Sequence, residues 1–275
     1  MVSPVSKSLV RPAITGSDAS GVTAPISSET RTALLDVAQT RRAAGIVWGK
    51  PYMPPHEHGI CLSKPALLGY LKMLHPASLG ATPDPEGSFK ISYPFRSWVG
   101  SAANAGQLFP DPLPSPTPLN CASFVLNALL EVRLLTAHEV HVFYCAVDKH
   151  YRAHPEKDPD YCAAEIKWLD GPGDWIEAHS VLTDEHRGDV VMAVDKVHKE
   201  GLNYARHVGL LGGLGVDPSH PEGGNQGMLL WDWDGDVRKE VNPEWVPLGG
   251  NSMFRRLPLA DVVARVKAVG AAYSP

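Results

Sequence analysis

The sequence predicts an α+β fold, with helices first, an antiparallel meander after them and a closing helix. Three observations predict it. Two stretches, Ser28–Ala44 and Asn120–Leu135, carry apolar residues at helical spacing. Short apolar segments near 189–194, 206–212, 228–233 and 253–257 then follow with turn residues between them. Helical spacing returns from about Leu259 to Ala271.

The elements can be justified in order. Residues 1–28 are rich in Ser, Thr, Pro, Gly and Ala with almost no aromatics, which reads as a disordered leader. The first helix has Leu34, Leu35, Val37 and Ala38 on its apolar side and Gly45 as its stop. A second helix is expected over Ser63–Leu74, with Ser63 as cap, Pro65 in the first turn and His75-Pro76 as terminator. With the segment through Gly100 these form an N-terminal helical region. Phe109–Pro118 places prolines at 110, 112, 114, 116 and 118, a stiff extended connector that closes the region 29–118. Val140–Val147 reads poorly as a strand, and the polar stretch Asp148–Gly171 reads as part of an insertion near 148–180.

Composition narrows the function classes. The 275 residues are 44% hydrophobic, enough for a sizeable core. A net charge of −5 with no long basic run gives no sign of nucleic-acid binding or of a charged membrane surface. No apolar run approaches the roughly 20 residues that span a bilayer. Met1–Thr30 lacks the charged-then-apolar pattern of a signal peptide, so synthesis in the cytoplasm is expected. The cysteines, at 61, 121, 145 and 162, are too sparse for a disulfide scaffold and include no C-x-x-C. His56-Glu57-His58 with Cys61, and His138-Glu139 with His141, group metal-binding types, yet both read as surface loops.

Three pieces carry chemistry. Asn120 precedes Cys121 at the start of a strongly helical run, and its side chain can cap the first turn. Unpaired N–H groups and the positive end of the helix dipole favour a thiolate there, the form in which a cysteine attacks. Arg187-Gly188-Asp189-Val190-Val191 opens a strand. Arg206-His207-Val208-Gly209 lies on the next one, where His207 shares a face with Gly209 and Leu211 and is the candidate base.

In this order, Asn120-Cys121-Ala122-Ser123-Phe124-Val125, Arg187-Gly188-Asp189-Val190-Val191 and His207-Val208-Gly209-Leu210-Leu211-Gly212 resemble the NlpC-like and CHAP-like cysteine amidases of the papain-like superfamily. The resemblance covers about the central half of the chain. It implies a papain-like core over 119–275, with N-terminal helices on a central antiparallel sheet and the nucleophile at the start of a buried helix. Ala122-Ser123 stands where that family has Ser-Gly, and the long separation of Cys121 from His207 requires the insertion near 148–180.

The resemblance also implies a polar residue on the strand after His207 that orients the imidazole. Asp232 is the choice from Met228–Gly235. Asp234 is second because Asp234-Gly235 suits a hairpin turn, and His220 and Asn225 lie outside in the preceding loop. The backbone N–H of Cys121 would supply one oxyanion donor. The expected function is hydrolysis of an amide bond through an acyl-enzyme, with no cofactor or metal. The expected substrate is cell-wall (peptidoglycan) peptide, then a protein side-chain amide. Protein deamidases and transglutaminase-like toxins are the neighbouring alternatives. Without a signal peptide such an amidase would leave by a dedicated secretion system as a toxin or effector, with an immunity or inhibitor protein as partner. The reading from another class is a non-enzymatic interaction protein on a decayed hydrolase fold, using the Pro-rich strip and seven tryptophans for binding.

Overall fold

The computed structural model describes residues 25–43, 47–48, 52–53, 89–90, 94–110, 118–153, 161–176, 182–197, 202–216, 218, 221–223, 225–230, 244–246 and 254–273. The expected leader up to residue 24, the helix expected over 63–74, most of the Pro-rich connector and Asp232, Asp234 and Cys61 lie outside them.

Within them the architecture is α+β, as expected. Six helices run over Ser28–Ala43 (α1), Pro94–Asn104 (α2), Cys121–Glu131 (α3), Ala137–Ala153 (α4), Tyr161–Leu169 (α5) and Leu259–Tyr273 (α6). The main sheet is antiparallel throughout. Its strands are Asp174–Trp175 (β1), Val190–Val197 (β2), Leu202–Val216 (β3), Asn225–Leu230 (β4), Glu244–Val246 (β5) and Phe254–Leu257 (β6). In space they lie in the order β1, β6, β2, β3, β4, β5. Val47–Trp48 pairs in parallel with Pro118–Leu119, at the end of the Pro-rich connector.

Alternation along the strands divides the interior. Val190, Met192 and Val194 of β2, Val208 and Leu210 of β3, and Leu230 of β4 turn toward the helices and join the large core cluster. Val191, Leu211 and Leu229 turn the other way and pack with Ile176 and Leu182. The period of two decides which residue meets which layer.

α3 is the central helix. Every residue from Cys121 to Leu130 is buried, as expected for a helix that is apolar all round. It packs against both α1 and β3.

One reading from sequence is corrected: His138 and His141 lie on α4, a 17-residue helix, and not on a loop. Val140–Val147, which reads poorly as a strand, belongs to the same helix. The polar stretch that begins at Asp148 continues α4 to Ala153 and then supplies α5, whose Ala164, Ile166 and Leu169 sit in the large core cluster.

The Gly188-Asp189 pair is a structural node. Gly188 has φ +82, in the left-handed region where a side chain is strained, and its N–H bonds the Leu211 carbonyl at 2.7 Å. Asp189 is 1% exposed. It accepts from Arg31 Nη1 of α1 at 2.7 Å, from Arg256 Nη1 of β6 at 2.9 Å, and from the backbone N–H of Leu259 at 3.0 Å. One carboxylate thereby ties α1, β2, β6 and the first turn of α6, where negative charge also meets the positive end of the helix.

Candidate active site around Cys121

Cys121 is the first residue of α3, and the local sequence places it there. Asn120 is the N-cap, in extended conformation. Its Oδ1 accepts from the Ser123 backbone N–H at 2.8 Å, and the Ser123 hydroxyl accepts from the Asn120 N–H at 2.7 Å. This reciprocal capping box, with serine in the role usually taken by Glu or Gln, satisfies two donors that would otherwise be orphaned in the interior. Asn120, Cys121 and Ser123 are each at most 1% exposed. The thiol is therefore fully buried.

A carboxyl lies beside it. Glu165 of α5 is 0% exposed, and its Oε2 accepts from Asn120 Nδ2. The Tyr144 hydroxyl of α4 also bonds the carboxyl. Arg96 of α2 reaches the same region, stacked over the Tyr144 ring at 5.7 Å from its centroid and paired with Asp148. Burial pushes the Glu165 carboxyl well above the usual carboxylate range; the Asn120 hydrogen bond opposes this, the neighbouring Cys121 adds to it, and Arg96 and Tyr144 oppose it. The other oxygen, Oε1, is buried with no hydrogen-bond partner.

His207 is buried on β3, 8% exposed. Its ladder partner is Ala193, which packs against the smaller cluster with Val191 and Leu211. Directly opposed residues of an antiparallel pair share a face, so His207 leaves β3 on the side away from the α3 core, while its neighbour Val208 enters that core. α3 and β3 are adjacent, but alternation alone does not turn this imidazole to the thiol. The register shifts at this point: Ala193 pairs with His207 and Val194 with Ala205, which leaves Arg206 as a bulge residue next to the histidine. Bulges increase local twist and re-aim the side chains beside them.

A thiol–imidazole contact lies elsewhere. Cys145 is exposed on α4, with its Sγ 3.7 Å from His141 Nε2 one turn earlier. Burial, Arg96 and His138 hold His141 below its ordinary value, which favours the neutral ring. Among the described residues no group of three or more His, Cys, Asp or Glu is placed to hold a metal ion, and no helix is long and apolar enough to cross a membrane.

Sequence reasoning missed Glu165, Tyr144 and Arg96. Glu165 carried one legible signal: it is a lone acid inside the apolar stretch Ala163–Leu169, and such residues are rarely buried unless bonded.

Comparisons of the chain with protein-family models, with curated proteins and with solved structures find no match.

Proposed function

We propose that the chain is a cysteine hydrolase of amide bonds, with Cys121 as nucleophile, His207 as base and Asp232 as the carboxylate that orients the imidazole. The observation that best supports it is the setting of Cys121, first in a capped helix whose positive dipole end favours negative charge. In this reading His207 takes the thiol proton and the sulfur attacks the carbonyl carbon. The tetrahedral adduct collapses with cleavage of the C–N bond, and the imidazolium protonates the leaving amine. Water, deprotonated by His207, then cleaves the thioester to the acid and restores the thiol. The backbone N–H of Cys121 supplies one oxyanion donor.

The proposed substrate is the peptide part of bacterial cell wall, acted on as an exported toxin or effector. Deamidation or transglutaminase-like transfer at a protein side-chain amide would use the same thioester. Incubation with purified peptidoglycan should release new amino and carboxyl ends. Cys121→Ser should abolish that release while the protein melts within a few degrees of the wild type. His207→Ala should be about as damaging, because nucleophile and base act as a unit. Wild-type activity in either variant would remove that residue from the mechanism.

One observation favours the competing reading, a non-enzymatic interaction protein. Cys121 is buried to 1%, and His207 is paired on the sheet face turned away from it. Under that reading peptidoglycan is untouched and the thiol is inert.

A further inference from the structure

We infer that Glu165 is a positioning residue for Cys121: its buried carboxyl holds the Asn120 cap in place and shares a single negative charge with the thiol. The inference rests on Cys121 being the nucleophile proposed above, and it adds a residue that the Cys–His–Asp scheme does not contain.

The first argument is geometric. An asparagine amide can sit either way round, and capping requires Oδ1 toward the Ser123 N–H at 2.8 Å. That choice points Nδ2 into the interior, where Glu165 Oε2 receives it. The carboxyl therefore fixes the amide, the amide fixes the first turn of α3, and Cys121 is the first residue of that turn.

The second argument concerns charge. The groups around the carboxyl are Asn120 and Cys121 from α3, Tyr144 from α4 and Arg96 from α2, the last already paired with Asp148 of α4. Two neighbouring acids in a dry interior each oppose the ionisation of the other. Oε2 accepts from Asn120, so Oε1, buried without a hydrogen-bond partner, is the oxygen left to carry a proton. With the proton there, Cys121 is free to hold the negative charge. With it lost, a carboxylate opposes the thiolate.

The test is the pH profile of Cys121 alkylation in the full-length chain. Iodoacetamide is the probe, the modified peptides are resolved by mass, and melting is followed alongside. A pair sharing one charge makes wild-type Cys121 gain reactivity in two steps as pH rises. Glu165→Gln keeps an acceptor for Asn120 and carries no charge, so it should show one step and be at least as reactive as the wild type at every pH. Glu165→Ala leaves the amide without its acceptor and should slow labelling at least about tenfold near neutral pH, where the thiolate fraction sets the rate. If Glu165→Ala does not fold, Glu165→Gln decides alone. Superimposable single-step profiles for the wild type and Glu165→Gln, or a Glu165→Gln variant slower than the wild type, overturn the inference. Wild-type Cys121 reacting no faster than Cys145 overturns the nucleophile reading instead.

Discussion

Two buried carboxyls belong to this fold, Asp189 and Glu165, and their surroundings differ. Asp189 receives two guanidinium groups and the first backbone N–H of α6. Glu165 receives one primary amide and one hydroxyl, with an oxygen left over. The first is a compensated charge that holds four elements together. The second is a barely compensated acid, which burial pushes well above the usual carboxylate range. Complete compensation at Asp189 fits a fastening role. Incomplete compensation at Glu165 leaves a group whose proton can respond to its neighbour, and departures of this kind concentrate at functional sites.

The largest effect should come from breaking the compensated node. Asp189→Ala removes the buried carboxylate that Arg31 and Arg256 share, leaving Arg256 with Asp174 and Arg31 with the Arg187 carbonyl, and should cost about 3–5 kcal/mol in urea unfolding. A loss under about 1 kcal/mol would show that Asp189 is not the fastener described. Arg31→Ala and Arg256→Ala each remove one donor from a carboxylate that keeps the other, and should cost roughly 1.5–3 kcal/mol, less than Asp189→Ala. Either one matching the Asp189 loss would place the node's strength in a single pair.

Glu165→Gln should move stability in the other direction and in a pH-dependent way. The folded carboxyl titrates above its unfolded value, so its contribution is complete below the ordinary carboxylate range and is lost as pH rises toward the raised value. Glutamine loses nothing over that window. The variant should therefore gain on the wild type from about pH 4 upward, and the difference should shrink in acid. Urea midpoints near pH 4 and pH 8 measure this; a difference that shrinks as pH rises contradicts an uncharged Glu165. The smallest effect is expected at Cys145→Ala, an exposed helix position, which should stay within about 0.5 kcal/mol of the wild type.

Much of this architecture was legible in the sequence because its signals are local. Asn120 before an apolar helix, Gly188-Asp189 before a strand, and the spacing of Leu259 to Val269 each specify an element from a few neighbours. α5 was not legible, since nine residues offer little periodicity and its flanks are charged. Nor was the fastening role of Asp189, because its partners come from positions as remote as Arg31 and Arg256. The candidate site divides in the same way. The cap of Cys121 is local and could be read, whereas Glu165 meets it only through tertiary packing. The face on which His207 emerges depends on ladder register and on the bulge at Arg206, which the alternating pattern of one strand does not encode.

In the proposed mechanism Cys121, though buried, is the activated thiol of this chain. Iodoacetamide labelling of the wild type near pH 6, resolved by cysteine, tests it most directly. Cys145 is the demanding control, exposed and 3.7 Å from a histidine. As the nucleophile, Cys121 should be modified at least about tenfold faster than Cys145, because the thiolate is the form that reacts. Faster labelling of Cys145, with Cys121 protected until the protein unfolds, would contradict it and make Cys121 a core residue.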